Sequence, residues 1–180
     1  MAIQAVTLNF VRGAGKTGSS RKLNEWPVVL ANQQVLNVDA AFYLGEHSGG
    51  CGAIVRDNRG NFIGAATAKL THVADVVCAE AAALREGLKF LQNLGCNNVI
   101  VRMDNIIVID AMKAAPILEE CLSLLQDFGK VSIEHCNRES NVVAHELARW
   151  GSVNNPSVWV DAPPNFIVNS LVDDIAVIDK

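Results

Sequence analysis

The sequence lacks any apolar run that could cross a membrane. A membrane-spanning helix needs roughly 18 consecutive apolar residues, and no stretch of these 180 residues approaches that length. Half of the residues are hydrophobic and 19% are charged, a balance typical of a soluble globular chain. We therefore expect no membrane association, and a single domain with a substantial core.

Paired cysteine motifs are also absent. The chain has five cysteines, none of them in a Cys-x-x-Cys pair, and an odd number argues against a closed disulfide framework. Free thiols are typical of a reducing compartment. We expect an intracellular protein of the nucleus or cytoplasm, and a monomer.

Basic residues are fewer than acidic ones, 15 against 19, and a local excess of them lies at the start of the chain. The net charge of -4 counts against a strong nucleic-acid binder, whose surface is usually basic. Residues 1–24 hold four basic and no acidic residues, so they carry +4 and the rest of the chain carries -8. Residues 1–34 lack clear periodicity and are predicted to be a flexible basic segment. A solvated tail, a phosphate-binding arm and an organelle-targeting segment all stay open for it.

Hydrophobic periodicity predicts one α/β domain over residues 35–151. The predicted elements are strands at 35–42, 53–56 and 62–67, a helix at 76–94, a strand at 98–104, helices at 105–114 and 117–128, a strand at 131–135 and a helix at 141–150. This order, βββαβααβα, corresponds to a five-stranded mixed sheet with helices on both faces.

The last segment, residues 152–180, is predicted to be a proline-containing tail. Its apolar residues Phe166, Ile167, Leu171 and Ile175 indicate that it packs on the domain rather than trailing freely.

Three acidic residues stand where chemistry is to be expected. Asp39 lies inside an apolar strand, where a buried carboxylate is costly unless it is paired or bound to a metal. Glu80 lies near the start of an alanine-rich helix, and Asp104 ends a strand at the edge where α/β sheets gather their ligands. Each also has a plain structural explanation, respectively a turn, a favourable helix-dipole contact and a helix N-cap.

Together the three acids predict a metal site. Three carboxylates held close together repel one another, so each needs a cation to remain ionised. Oxygen ligands of this charge suit Mg²⁺, or Mn²⁺. We therefore expect Asp39, Glu80 and Asp104 to converge on a divalent cation.

Five stretches of the chain carry a resemblance to a known family. They are residues 36–42, 52–57, 79–84, 103–105 and 138–148. In order and spacing they resemble the type-1 ribonuclease H family, in particular the plant domains found in, or derived from, retroelement reverse-transcriptase proteins. The resemblance covers roughly residues 26–176. It implies that the RNA strand of an RNA–DNA hybrid is cleaved by a two-metal mechanism, in which four acids hold two Mg²⁺ ions.

The resemblance also assigns roles to individual residues. Asp39, Glu80 and Asp104 match the first three acids, and Asp39 would be shared by both ions. His145 stands in the place of the fourth acid, either as a modified metal ligand or as a helix residue packed beside the site. Histidine prefers softer metals than Mg²⁺, so this position bears on the hydrolytic activity.

Nucleic-acid contacts follow from the same resemblance, because family members recognise the 2′-hydroxyls of RNA. The expected contact residues are Gly50, Cys51, Gly52, Asn105, Arg138 and Asn141. For Arg138, an ion pair with Glu139 or Glu146 is the alternative. A basic helical protrusion that some members use to grip the hybrid is missing.

Two functional hypotheses follow. The first is a metal-dependent endoribonuclease that acts on RNA–DNA hybrids through Asp39, Glu80, Asp104 and His145. The second is a non-catalytic module of the same fold that binds nucleic acid or a protein partner, which the negative net charge and His145 favour.

Overall fold

The structure is a computed structural model of the chain and describes residues 9–11, 29–105 and 116–176. Most of the basic segment predicted at 1–34 lies outside the described residues. The same is true of the helix predicted at 105–114, of which only residue 105 is described.

Within the described residues, seven strands form one mixed sheet in the order β1-β6-β5-β2-β3-β4-β7. They are β1 (Asn9–Val11), β2 (Gln34–Tyr43), β3 (Ser48–Arg56), β4 (Phe62–Thr71), β5 (Asn98–Met103), β6 (Lys130–His135) and β7 (Ser157–Val160). As predicted, β2, β3 and β4 form an antiparallel meander. The helix crossover then brings β5 parallel to β2, and β6 lies parallel to β5.

The prediction of five strands is wrong by two, one at each edge of the sheet. β1 pairs in parallel with β6, and β7 pairs antiparallel with β4. The two added strands have only three and four residues, too short for a period-two pattern to stand out.

Four helices are described, with two short 3₁₀ turns. The helices are α1 (Val76–Asn93), α2 (Pro116–Leu125), α3 (Val142–Val153) and α4 (Val168–Ala176), and the turns are Arg138–Ser140 and Asn165–Ile167. The Asp75 side chain caps α1 by accepting a hydrogen bond from the backbone N–H of Cys78, at 2.8 Å. Among the described helices, none is both long and apolar enough to cross a membrane.

The helices cover both faces of the sheet, as predicted. Successive residues of β3 point to opposite faces: Ala53 and Val55 pack with α1, whereas Ile54 packs with α3. The second of these cores also takes in Ile167 and Leu171 from the end of the chain.

Two glycines of β3 let α3 lie directly on the sheet. A Cβ atom at Gly50 would meet the backbone of Ala148 and Ser152, and one at Gly52 would meet the backbone of Ala144 and Ala148. The helix therefore sits closer to the sheet than any side chain on these two positions would allow. This close approach brings the side chains of α3 within reach of β2.

The C-terminal residues pack against the same helix. The ring of Phe166 stacks on Trp150 with centroids 5.5 Å apart and the planes 6° from parallel. Asp174 accepts a 2.8 Å ion-pair hydrogen bond from the buried Arg56. The side chain of Ile175, also expected to pack here, lies outside the described residues.

Candidate metal centre

Asp39 projects from the middle of β2 toward the face that α3 covers. Val38 belongs to the core on the α1 side, so alternation along the strand turns Asn37 and Asp39 to the other side. Asp39 is only 4% exposed. The expectation that this acid lies inside the strand, rather than at its end, is confirmed.

Glu80 enters the site from the start of α1. It is 6% exposed and flanked by buried alanines, which let the helix lie close to the sheet. The Asn105 side chain forms a hydrogen bond with its carboxylate. Among the described residues the second oxygen, Oε2, is buried without a hydrogen-bond partner.

Asp104 completes the group immediately after β5. One carboxylate oxygen from each of Asp39, Glu80 and Asp104 lies within 4.8 Å of the other two. The predicted convergence of the three acids is therefore present in the fold. Metal binding by them stays a prediction.

The three carboxylates repel one another, and this repulsion raises pKa values in the site. Burial raises the pKa of Glu80 to about 8, and the charges of Asp39 and Asp104 add to this effect. Burial also raises the pKa of Asp39 to about 6. The hydrogen bond from His145 opposes that rise, and the charge of Asp104 supports it. In the absence of a cation, the site therefore holds its protons well above the ordinary carboxylate range.

His145 lies beside the three acids and contacts one of them. Its Nδ1 atom is 2.7 Å from Oδ2 of Asp39, and about one third of its side chain is exposed. The neighbouring Glu146 points away, because both of its carboxylate oxygens accept a hydrogen bond from Ser170. His145, which the resemblance sets in the place of a fourth acid, is therefore already paired with Asp39.

Three of the predicted nucleic-acid contacts are buried in the fold, and contact with nucleic acid stays a prediction for them. Gly50, Cys51 and Gly52 are all buried, since β3 is paired with a strand on each side and α3 lies on both glycines. The absence of a side chain at Gly50 and Gly52 admits α3 at this place.

Asn141, another predicted contact, is only 2% exposed. Its Nδ2 donates to the backbone oxygen of Val38 at 3.0 Å, and its Oδ1 accepts from Asn37 at 3.2 Å. It makes no side-chain cap hydrogen bond to α3. Asn141 instead fixes the start of α3 to Asn37 and Val38 of β2, immediately before Asp39.

The remaining two predicted contacts do face the site. Asn105 and the exposed Arg138 line a cleft of about 600 Å³ that also contains the three acids and His145. Contact with nucleic acid stays a prediction for both.

Sequence reasoning missed other residues of this cleft. Its lining includes Phe42, Tyr43, Val76 and Arg149. The signal for Arg149 was available, because it stands four residues after His145 and so shares its helix face.

His135 was also missed as a neighbour of the site. Its Nε2 atom lies 3.1 Å from the backbone oxygen of Asp104. Parallel pairing of Met103 with His135 brings the ends of β5 and β6 together, and this register was not readable from the chain.

Comparison with known protein families identifies the family to which this chain belongs. A family model described as reverse transcriptase-like matches residues 37–151, more than half of the chain and all of the acid cluster. The chain belongs to the reverse transcriptase-like family. A search of curated proteins finds no match.

Solved structures show the same fold in this reverse transcriptase-like chain. Ribonuclease H1 from the halophilic archaeon Halobacterium salinarum has 21% identity and a TM-score of 0.61, covering 66% of this chain and 96% of its own. The N-terminal ribonuclease H domain of a Mycobacterium tuberculosis protein has 23% identity and a TM-score of 0.59, covering 67% and 93%. A compost-derived ribonuclease H1, solved in complex with an RNA/DNA hybrid, has 22% identity and a TM-score of 0.56, covering 67% and 99%. The predicted ribonuclease H-like fold is confirmed, while a plant or retroelement origin stays a prediction.

Proposed function

We propose that this chain is a metal-dependent endoribonuclease that cleaves the RNA strand of RNA–DNA hybrids. The observation that carries the proposal is the mutual approach of Asp39, Glu80 and Asp104 within 4.8 Å at the base of an open cleft. Two of the three are buried, and burying several carboxylates together has no stabilising role of its own.

The donor set fits a hard divalent cation such as Mg²⁺ or Mn²⁺. All three groups offer carboxylate oxygens, and Oε2 of Glu80 is buried without a partner among the described residues. The pKa values of Asp39 and Glu80 are raised, and a bound cation would favour the ionised form of both carboxyl groups. Divalent cations held there would supply the charge that favours deprotonation of water and stabilises the leaving oxygen.

The chain's own residues would orient the acids and the substrate. His145 holds Oδ2 of Asp39, Asn105 holds Glu80, and His135 contacts the backbone of Asp104. Arg138 would bind a phosphate of the polynucleotide, since it lines the cleft and forms no ion pair with a described residue, Glu139 and Glu146 included. The hybrid as substrate is supported by the ribonuclease H1 relative crystallised with one.

The test is cleavage of an end-labelled RNA–DNA hybrid, first with Mg²⁺ and then with Mn²⁺. We expect cleavage of the RNA strand, lost on addition of EDTA and in Asp104→Asn. Asp161→Asn is the matched control, since Asp161 is exposed outside the cleft and its positive φ suits asparagine equally. Absence of cleavage with both ions would overturn the proposal.

A second candidate is a non-catalytic module that binds nucleic acid through the same cleft. The pairing of His145 with Asp39 favours it, because the place of the fourth acid is occupied by a group that brings no negative charge when neutral. Binding of the hybrid without cleavage under either ion would establish this alternative.

A further inference from the structure

The cleft extends beyond the acids to a region formed by Tyr43 and Arg149. Both residues line the same cleft as Asp39. Tyr43 lies four residues beyond Asp39 on the same face of β2, about 13 Å along the strand. Arg149 lies one turn beyond His145 on α3, about 6 Å along the helix. The region therefore adjoins the three acids without belonging to them.

A hydrogen-bond chain links the Tyr43 side chain to the backbone of Arg149. Ser152 Oγ donates to the backbone oxygen of Arg149 at 2.7 Å, which uses the only proton of that hydroxyl. The Tyr43 hydroxyl, 3.3 Å from Ser152 Oγ, must therefore be the donor of the second bond. The tip of the Tyr43 ring is thus fixed to α3 just beyond Arg149.

The side chains of Tyr43 and Arg149 nevertheless remain exposed. Tyr43 remains 42% exposed although its hydroxyl is bonded, and it lines the cleft. Arg149 is exposed and forms no ion pair with any described residue. An exposed aromatic ring and an exposed guanidinium group that line one cleft suit a nucleotide, whose base stacks on the ring while its phosphate pairs with the cation.

We propose that Tyr43 and Arg149 form a nucleotide-binding subsite that holds the polynucleotide next to the position of cleavage. This inference rests on the proposed function for its substrate, and adds where one neighbouring nucleotide sits. Tyr43 stacks on the base or sugar, and Arg149 binds the adjoining phosphate. The subsite also accounts for binding by an acidic chain, because its cation lies within the cleft rather than on a broad basic surface.

The experiment measures the Kd of a fluorescent RNA–DNA hybrid by anisotropy in the Asp39→Asn background, over a series of salt concentrations. We expect Tyr43→Ala to raise Kd about tenfold, the usual scale for one lost base-stacking contact, and Tyr43→Phe to leave it within threefold. Leu44→Ala is the control for lost apolar surface, since Leu44 is 70% exposed on the same turn and lies outside the cleft.

The salt series tests the phosphate contact. Arg149→Gln should lower the slope of log affinity against log salt by about 1, while Arg149→Lys should keep that slope. Arg59→Gln removes the same charge from an exposed turn at the opposite end of β3 and should leave the slope unchanged.

The possible outcomes separate the subsite from the nuclease activity. If the chain with Asp39 intact cleaves the hybrid, while Tyr43→Ala and Arg149→Gln bind it like the controls, the subsite is overturned and the activity stands. If both variants weaken binding as expected but the intact chain does not cleave, the subsite stands and the activity fails. If the Asp39→Asn parent does not bind the hybrid, the subsite is overturned, while the activity is still decided by cleavage in the intact chain.

Discussion

At the scale of single residues, the buried carboxylate of Asp39 destabilises the folded protein and also belongs to the candidate metal site. Its pKa is raised to about 6 by burial, and the charge of Asp104 adds to the rise. Asp39→Asn removes this repulsion in the metal-free protein and keeps an acceptor for His145. We expect the free energy of unfolding at pH 7 to rise by about 1 kcal/mol, while cleavage is abolished. Urea denaturation in EDTA measures the first effect. A loss of stability would show that Asp39 is mainly structural.

Glu80 gives the metal-free protein a characteristic pH dependence. Because its folded pKa, about 8, exceeds its ordinary value of 4.5, the folded state binds more protons than the unfolded state. Stability is therefore fully present below pH 4.5 and is lost as the pH rises through 8. Asp39 adds a similar loss between its ordinary value of 3.8 and about 6.

Thermal melts in EDTA from pH 5 to 8.5 check this dependence. We expect Tm to fall as the pH rises across this range. In Glu80→Gln, Tm should depend less on pH above pH 6. Mg²⁺ should raise Tm more at pH 8 than at pH 6, because it competes with protons for the same oxygens. A melt that does not change with pH would mean that Glu80 is ionised without a cation.

His145 stands at the position where the ribonuclease H resemblance implies a fourth acid. We expect His145→Asp to raise the rate of cleavage with Mg²⁺ by about tenfold, the lower end of changes made beside a metal site. In EDTA the same variant should melt at a lower temperature, since it adds a carboxylate next to Asp39. His72→Asp, at an exposed position outside the cleft, is the control. An unchanged rate would place His145 outside the reach of the metal.

Single residues also mark the limit of what sequence could predict. Asp39, Glu80 and Asp104 were recognisable through their combination, since each acid taken alone has a plain structural explanation. Gly50 and Gly52 were not, since a glycine that admits a ligand and one that admits a helix look the same in the chain. Asn141 had the sequence position of a helix cap, but its partners are Asn37 and Val38, about a hundred residues away.

At the scale of elements, the site depends on how closely α3 approaches β3. A Cβ at Gly52 would meet the backbone of Ala144 and Ala148, which cannot move without displacing the helix. We expect Gly52→Ala to destabilise the protein by about 1–3 kcal/mol and to weaken cleavage by shifting His145 away from Asp39. Gly45→Ala is the matched control, because a Cβ there has nothing within 4 Å. Equal stability of the two variants, measured in urea, would contradict this packing.

The long elements were predictable and the short ones were not. α1 has a clear apolar periodicity over 18 residues, and its predicted span of 76–94 differs from the structure by one residue. β1 and β7 owe their strand conformation to pairing with β6 and β4. That pairing is a tertiary effect, which three or four residues do not encode locally.

At the scale of the whole molecule, topology explains why one site forms. β5 lies parallel to β2 in the middle of the sheet, and α1 connects the antiparallel meander to this parallel half. The carboxyl end of β5, the start of α1 and the interior of β2 therefore meet at one place. Acids separated by 41 and then 24 positions converge there, which explains why their order and spacing carried the family resemblance.

The most direct test of this account is calorimetric titration of the protein with Mn²⁺ at pH 7, in buffers of different ionisation enthalpy. We predict binding that releases protons, because the pKa of Glu80 is about 8 without a cation. Asp104→Asn should lose the binding, and Asp161→Asn should keep it. Absence of Mn²⁺ binding, or binding that survives in Asp104→Asn, would contradict the assignment of Asp39, Glu80 and Asp104 as a metal centre.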